Sequence, residues 1–225
     1  MSWWEFWKRK GAKPDFVQSF LESNESGIPS LRSINQLAFT VLDTETTGLD
    51  TSKDAILSFG ALKIEQEKIL VNQSVEWYPH AESHGKNTVA IHELVEIPNK
   101  LSREEFARQL LDYIGNSILV GHHIGFDLEM LLAYLKPLGF TRFPNPVIDT
   151  FSFAIRLEVG PQADLSRIKK EDYSLDALCM RYEIELDDRH TAPGDALLTA
   201  LLFLKLLKKG KKKGFKNFKD LMKNF

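Results

Sequence analysis

The stretch FTVLDTETTGL, residues 39–49, decides the fold and the chemistry of this 225-residue chain. Residues 38–42 are apolar and β-branched, and polar and glycine residues follow, so the pattern predicts a strand that ends at the carboxylates. Side chains alternate faces along a strand, so Asp43 and Glu45 point the same way, roughly 6.6 Å apart along its axis. Two acidic residues with this spacing would fit a plain strand-to-loop junction as well as a functional site. The complete string DTETTGL favours the functional site.

Two carboxylates with this spacing suit a pair of hard divalent cations, which lie about 3.5–4 Å apart in two-metal sites. Carboxylate oxygens are the ligands that Mg²⁺ and Mn²⁺ prefer, and no grouping of Cys and His in the sequence indicates zinc. Gly48, in the turn that follows, would let the backbone approach a ligand closely. The first segment therefore predicts a site for two Mg²⁺ or Mn²⁺ ions.

Two later segments each carry a carboxylate at the start of a predicted helix. In VGHHIGFDLEML, residues 120–131, Asp127 precedes apolar residues with helical spacing. In RHTAPGDALLTA, residues 189–200, Asp195 precedes a helix predicted over residues 196–207. The helix dipole alone favours an acidic residue in the first turn, so neither carboxylate would indicate catalysis by itself.

His190 changes this interpretation. It lies on a predicted loop five residues before Asp195. An imidazole has an ordinary pKa of about 6.5, which suits a general base near neutral pH. A single histidine is more often a packed side chain, but the spacing to Asp195 and the two acidic segments upstream favour a catalytic role for this one.

Taken in order, these motifs match a known family. The chain resembles the DEDD superfamily of 3′→5′ exonucleases in its DEDDh subtype, to which the proofreading epsilon subunit of bacterial DNA polymerase III belongs. The resemblance covers residues 36–207, and His190 and Asp195 meet the subtype spacing H-x-x-x-x-D. It implies that Asp43 contacts both metal ions. It also implies that Glu45 and Asp195 complete the more tightly held ion, that Asp127 supports the second ion, and that His190 takes a proton from the attacking water.

The resemblance also implies four substrate-binding residues. Thr46 and Leu49 match positions that line the terminal nucleotide in relatives. His92 resembles a histidine that contacts the 3′-terminal sugar, and Phe126 matches a position beside the terminal base. Hydrophobic packing or turn formation would also explain these four residues.

Three other polar residues near the motifs are predicted to be structural. His123 departs from the family pattern, because many relatives have an asparagine in the second motif where GHHIGFD has histidine. We expect both His122 and His123 to be packed or surface residues. Asp149 follows a predicted strand, and we expect it to have a structural or loop role.

The order of predicted elements indicates an α/β fold. Strands over residues 38–43, 56–64 and 68–77 would form an antiparallel run, with a tight turn at residues 65–67. A helix with a capping box at Ser102 and Glu105 follows, and then strands alternate with helices, which favours parallel pairing. These features predict a ribonuclease-H-like mixed sheet flanked by helices.

We predict three regions: an N-terminal helical extension (1–36), the exonuclease domain (37–207) and a basic C-terminal tail (208–225). The aromatic and basic segment 1–10 is expected to begin a helix packed on the domain, with contact to a membrane interface or a partner left open. Residues 205–225 contain nine Lys and one Asp. They could bind phosphates, form a solvated terminus, or dock as a short amphipathic helix.

The composition limits the class of protein and the cellular compartment that the sequence fits. The chain is 43% hydrophobic, enough for a sizeable core, and has a formal net charge of −2. A single cysteine, Cys179, excludes an internal disulfide and fits a reducing cytoplasm. There is no run of 18 apolar residues, so we predict no transmembrane helix, and no signal peptide is apparent.

The sequence therefore predicts a metal-dependent 3′→5′ exonuclease that acts on single-stranded or frayed DNA, releases nucleoside monophosphates, and serves in proofreading or repair. The expected partners are a single-stranded 3′ end, with DNA favoured over RNA, and a possible DNA polymerase subunit. One alternative is an exoribonuclease that trims RNA 3′ ends, because the same five residues serve both substrates. Another is a non-catalytic scaffold associated with a polymerase.

Overall fold

The computed structural model describes residues 13–80 and 99–223. A five-stranded sheet with the order β3-β2-β1-β4-β5 forms the centre of this part of the chain. Its strands are β1 (Ala38–Thr46), β2 (Ile56–Glu65), β3 (Lys68–Trp77), β4 (Ile118–Gly121) and β5 (Val147–Asp149). The pairs β1–β2 and β2–β3 are antiparallel, whereas β1–β4 and β4–β5 are parallel. The predicted mixed sheet is therefore confirmed.

Helices flank the sheet. They are α1 (Asp15–Ser23), α2 (Arg103–Ile114), α3 (Gly125–Leu135), α4 (Thr150–Glu158), α5 (Leu175–Arg181), α6 (Ala192–Lys212) and α7 (Phe218–Met222). Short 3₁₀ turns occur at Ile34–Gln36, Lys136–Leu138, Leu165–Arg167 and Lys170–Tyr173. The capping box predicted at Ser102 and Glu105 opens α2. Of the helices in residues 13–80 and 99–223, none is long and apolar enough to cross a membrane.

The central strand β1 is longer than predicted. The expected strand stopped at residue 43, but β1 continues to Thr46, so both acidic residues of the first motif lie within it. The reason is pairing: Asp43 is opposite Gly60 and Glu45 is opposite Ser58 on β2. Backbone hydrogen bonds extend the strand beyond its apolar residues, which a hydrophobicity pattern cannot show.

The sheet carries a hydrophobic core on each face. Phe39 and Val41 of β1 belong to one core, which also contains side chains of α4 and α6. Leu42 belongs to the other core, with side chains of α1, α2 and α3. Because side chains alternate along a strand, Asp43 and Glu45 lie on the same face as Phe39 and Val41. The first acidic pair therefore faces the layer that contains α6.

The long helix α6 begins and ends outside the predicted range 196–207. It begins earlier because the side chain of Thr191 accepts a hydrogen bond from the Gly194 amide and caps the first turn. It ends at Lys212, so the boundary predicted at residue 208 falls inside a continuous helix. The expected basic tail therefore starts as the last turn of a helix whose inner face is buried.

The chain after α6 folds back onto the body. Leu221 of α7 is buried in the core, and the buried guanidinium of Arg156 donates to the Leu221 and Asp220 carbonyls. The amides of Phe218 and Lys219 donate to the carbonyls of Arg32 and Ser30. The docked amphipathic helix is therefore observed instead of a solvated terminus, and phosphate binding by the lysines stays a prediction.

The N-terminal helix is confirmed after Pro14. Helix α1 packs against α2, with Val17 fully buried and Phe20 nearly so. The extension predicted for residues 1–36 therefore contributes side chains to the core from residue 17 onward. The aromatic and basic segment 1–10 lies outside the described residues.

Candidate active site

Three of the five predicted signature residues form one cluster. Oxygen atoms of Asp43, Glu45 and Asp195 lie within 4.8 Å of one another. Asp43 and Glu45 come together because they share a face of β1, and Asp195 comes from the first turn of α6, which packs on that face. The roughly 6.6 Å of strand rise between Asp43 and Glu45 is thus bridged by their side chains.

Gly60 allows this approach. It lies opposite Asp43 on β2, and a Cβ atom there would be 2.2 Å from the carbonyl carbon of Ala192 and 2.3 Å from the nitrogen of Pro193. Any side chain at this position would push the first turn of α6, and Asp195 with it, away from the strand. The sequence signal was available, since a glycine within a strand often marks close approach of another backbone.

The cluster holds more negative charge than its surroundings compensate. Burial, followed by the charges of Asp127, Asp195 and Glu45, raises the pKa of Asp43 to about 9, and the positive charge of Arg189 opposes the rise. The pKa of Glu45 is also raised, first by burial and then by the charge of Asp195. Closely spaced carboxylates that resist ionisation are stabilised by a bound cation.

Asp195 supplies the most direct test of whether a cation fits. Its residue surface is only 8% exposed. The Oδ2 atom pairs with the guanidinium of Arg189, whereas the buried Oδ1 atom has no hydrogen-bond partner in the described part of the chain. A buried carboxylate oxygen without a partner is costly, and Mg²⁺ or Mn²⁺ would satisfy it. The donor set therefore fits a divalent metal ion.

Asp127 approaches the cluster from the opposite layer. It lies in the first turn of α3, as predicted, and its Oδ1 accepts hydrogen bonds from the Thr44 amide (2.9 Å) and hydroxyl (2.6 Å). Burial raises the pKa of Asp127 to about 6, and the bonds from Thr44 limit the rise. Asp127 is not one of the three grouped carboxylates, but it is close enough to raise the pKa of Asp43.

His190 lies at the open rim of the cluster. Its side chain is exposed, and a positive charge there would lower the pKa of Glu45, so the two residues are near enough to interact electrostatically. Its φ angle is +64°, a left-handed conformation that is uncommon for residues other than glycine. Such conformations gather at functional sites, where the surrounding structure holds them in place.

Three of the four predicted substrate-binding residues are described. The side chain of Leu49 is 84% exposed, and Phe126 is partly buried against the core that contains α3. The hydroxyl of Thr46 donates to the Gly48 carbonyl at 2.8 Å. His92 lies outside the described residues. An exposed leucine on a site loop has an apolar surface available to a ligand.

The loop after β1 is braced by Asp54. The hydroxyl of Thr47 donates to one oxygen of this carboxylate and the Asp50 amide to the other. A Cβ atom at Gly48 would be 2.5 Å from the same carboxylate. A larger residue at position 48 would therefore displace the Asp54 carboxylate from the hydrogen bonds that brace this loop.

The neighbouring polar residues have structural roles, as predicted. Asp149 caps α4 by accepting from the Phe151 amide, and it also accepts from the amide of His123. His122 makes a 2.9 Å hydrogen bond between Nδ1 and the Thr150 hydroxyl, and burial lowers its pKa to about 4. His123 has a φ angle of +58°, a conformation that asparagine adopts more readily.

Sequence reasoning missed three residues that shape the site: Thr44, Gly60 and Arg189. Thr44 lies between the two acidic residues of the first motif, and its hydroxyl is what fixes Asp127. Arg189 directly precedes His190 and forms ion pairs with Asp176 of α5 and with Asp195. No local pattern indicates these pairings, because the partners of Thr44 and Arg189 lie on other elements.

The mixed five-stranded sheet, with carboxylates of the first and third segments grouped beside its central strand, has the arrangement of the ribonuclease-H-like class. The sequence model of the RNase_T exonuclease family matches residues 40–203, and the chain belongs to this family. The predicted resemblance to the DEDD exonucleases is thereby confirmed. Members of this superfamily use divalent metal ions, in agreement with the acidic cluster.

Among curated proteins, the chain is similar to PolC-type DNA polymerase III. It is 32% identical to that of Thermotoga petrophila over 222 residues, which is 95% of this chain and 15% of the relative. It is 30% identical to the Bacillus subtilis protein over 217 residues, covering 91% of this chain and 14% of the relative. The chain thus spans about 15% of the length of the relatives it matches.

Among solved structures, the fold is similar to E. coli exonuclease I in complex with a dT13 oligonucleotide. The TM-score is 0.60 at 15% identity, covering 79% of this chain and 42% of the other. It is also similar to exonuclease X in complex with 5′ overhanging duplex DNA, with a TM-score of 0.56 and 21% identity, covering 81% and 97%. These likenesses confirm the ribonuclease-H-like fold.

Proposed function

We propose that the chain is a divalent-metal-dependent 3′→5′ exonuclease that removes nucleoside monophosphates from single-stranded or frayed DNA, in proofreading or repair. The observation that carries the proposal is the cluster of Asp43, Glu45 and Asp195, in which one buried oxygen of Asp195 has no partner among the residues that the structure describes. DNA is favoured because the relatives are DNA polymerases and the structural neighbours are complexes with DNA. A cytoplasmic enzyme that works with a polymerase fits the same relatives.

The carboxylates would hold the metal ions. Asp43, Glu45 and Asp195 would bind directly, and Asp127, fixed by the two hydrogen bonds from Thr44, would support the second ion. When bound, two Mg²⁺ or Mn²⁺ ions supply Lewis-acid stabilisation of the charge that develops on the phosphate and lower the pKa of the attacking water. Asp127 and Asp195 are buried and Asp43 and Glu45 are partly buried, which limits competition from bulk water for the same oxygens.

His190 would act as the general base. Its place at the rim beside Glu45 lets a ring nitrogen accept a proton from a water molecule that enters with the substrate. Once protonated, the imidazolium would be stabilised by the neighbouring carboxylate. Proton transfer and metal binding would thus be carried out by different side chains, the exposed histidine and the carboxylates of the cluster.

The rim residues would hold the 3′-terminal nucleotide. Leu49 offers an exposed apolar side chain and Phe126 an aromatic ring. Contact between a base and an aromatic ring contributes about 1–3 kcal/mol and tolerates any base. Thr46 would contact the nucleotide beside them, and His92 would contact the terminal sugar. A site of this kind requires an unpaired end, which gives the preference for single strands.

The test uses two 5′-labelled oligonucleotides of one sequence, DNA and RNA, incubated with the protein and Mg²⁺ or Mn²⁺. A ladder that shortens from the 3′ end of DNA, and disappears with EDTA, is the expected result. Asp164→Asn alters an exposed loop carboxylate away from the cluster. It is the matched control for substitutions of the clustered carboxylates and should leave the ladder unchanged.

Two results would change the proposal. Faster shortening of the RNA would assign the chain to RNA trimming. If neither substrate is cut with metal present, the chain would be a scaffold, and co-purification of a polymerase would then be the measurement to make.

A further inference from the structure

We propose that Arg189 is a positioning residue for the cation site. Its guanidinium, anchored on Asp176, holds one oxygen of Asp195 and leaves the other oxygen free to bind the divalent ion. This inference rests on the proposed function, because it assigns a role toward the metal ions that the carboxylate cluster would hold.

The first support is the division of labour between the two oxygens of Asp195. Oδ2 pairs with the Nη1 atom of Arg189, while the buried Oδ1 has no partner in the described part of the chain. A carboxylate held by one oxygen cannot rotate freely, so its second oxygen keeps a fixed position. Groups that fix a metal ligand in this way commonly change metal affinity by about 10–100-fold when they are removed.

The second support is the anchor. The Nε atom of Arg189 pairs with Asp176 in the first turn of α5, so one guanidinium joins the starts of two helices. Only 21% of the Arg189 side chain is exposed, whereas Asp176 is 49% exposed. The planar guanidinium can bind two carboxylates in fixed directions, which a lysine ammonium cannot do.

The third support is the place of Arg189 in the chain. It directly precedes His190, and both lie in the loop between α5 and α6. Asp188 and His190 on either side have φ angles of +52° and +64°. An anchored side chain between two residues in left-handed conformations stabilises the loop, and therefore also the place of His190 at the rim.

Positioning and simple charge balance predict opposite results. Arg189 brings a positive charge close to the cluster, and that charge lowers the pKa values that its neighbours raise at Asp43 and Glu45. If Arg189 acted only as a counter-ion, its removal would make the site more negative and would tighten cation binding. If it positions Asp195, its removal would weaken cation binding in spite of the added negative charge.

The test is the dissociation constant of Mn²⁺ for the full chain, measured by calorimetry or by electron paramagnetic resonance of free Mn²⁺. In Arg189→Met, we expect this constant to rise about 10-fold or more. In Arg189→Lys, which keeps the charge but cannot span both carboxylates, we expect a similar rise. Asp176→Ala leaves Arg189 in place but removes its anchor, and should raise the constant several-fold.

Arg181→Met is the matched control, because Arg181 also pairs with a carboxylate but contacts Glu158 instead of the cluster. It should leave the Mn²⁺ constant within twofold of the unmodified chain. Circular dichroism confirms that each variant is folded. If Arg189→Met does not fold, Asp176→Ala decides the question, since Asp176 is half-exposed and its loss is tolerated more readily.

Two results overturn the inference. Mn²⁺ binding that is unchanged or tighter in Arg189→Met shows that the arginine does not position Asp195. Full affinity in Arg189→Lys shows that charge alone matters. The proposed function fails separately, if the unmodified chain itself does not bind Mn²⁺.

Discussion

The two ends of α6 carry opposite charges in opposite environments. Its first turn holds Asp195, which is buried beside two other carboxylates and has one oxygen without a partner in residues 13–80 and 99–223. Its last turns hold Lys208 and Lys212, both exposed and about 20 Å and 25 Å from Asp195 by the rise of the helix. The helix dipole favours both placements. Burial and the lack of a partner within the described residues, rather than charge alone, therefore distinguish the candidate metal ligand from the lysines.

The largest effect is expected from Asp43→Asn, which alters the acidic cluster at the first turn of α6. We expect the rate of nucleotide release to fall on the order of 10³-fold or more, because a shared metal ligand is lost. The metal-free variant should unfold roughly 2–4 °C higher at pH 7–8, because a crowded and partly buried carboxylate is removed. A single-turnover assay and a thermal melt measure the two effects. Near-normal activity would contradict the site assignment.

His190→Ala tests the proposed general base independently of the carboxylates that would bind the metal ions. We expect the rate to fall by about 10²–10⁴-fold, which is the usual contribution of a general base. The affinity for Mn²⁺ should stay within about threefold of that of the unmodified chain, because His190 does not belong to the group of residues that could hold the metal ion. Rates measured across pH 6–9 check the role, and His80→Ala, an exposed histidine, is the control. The same rate and pH profile in the variant would exclude His190 as the base.

The buried end should also respond to pH. In metal-free protein the pKa of Asp43 is raised to about 9 and that of Asp127 to about 6. Asp127 therefore holds a proton that the unfolded chain has released up to about pH 6, and Asp43 does so up to about pH 9. The stability they contribute is present below the unfolded pKa of about 4 and is lost as pH rises toward 9. Melting temperatures of the metal-free chain should therefore fall across this range because of these two groups.

Added metal should reverse this trend. At about 100 times its dissociation constant, Mn²⁺ should raise the melting temperature at pH 8 by roughly 5–10 °C. The gain should shrink toward pH 5, because protons compete for the same oxygens. Asp43→Asn should show a much smaller gain at every pH. A pH-independent gain in the unmodified chain would show that the metal binds elsewhere.

The smallest effect is expected at the exposed end. Replacing Lys208 and Lys212 together by alanine should change the melting temperature by less than about 2 °C, because neither side chain is buried. If DNA reaches this end, affinity should fall modestly and the salt slope should decrease by about 0.7 for each lost contact with single-stranded DNA. The measurement is the affinity for single-stranded DNA at several salt concentrations. If neither the affinity nor the salt slope changes in the variant, the substrate stays near the acidic end of α6.

Point substitutions are needed here because the segment after α6 cannot be removed cleanly. Leu221 is buried, and Arg156 donates to carbonyls of α7. Deleting residues 208–225 would expose part of the core and leave a buried guanidinium without its partners. A loss of activity in such a truncation would report unfolding as readily as a loss of DNA contacts.

Local patterns predicted much of the fold. The bounds of β3 and the capping box at Ser102 were predicted as observed, and Asp127 and Asp195 lie in first turns, because alternation, capping and turn chemistry act over a few residues. The end of β1 was predicted too early, because pairing with β2 extends it. Both ends of α6 were also missed. Its start depends on a cap at Thr191, and its end depends on burial against the chain that follows.

The sequence by itself determined which groups are available for chemistry: five signature residues in three segments, in an order that specifies the family. Only the tertiary structure decided which of them meet and how each is held. Gly60 admits the first turn of α6, Thr44 orients Asp127, and Arg189 takes one oxygen of Asp195. Residue types and spacings follow from local sequence, whereas desolvation, crowding of like charges and missing partners arise only when distant elements pack together.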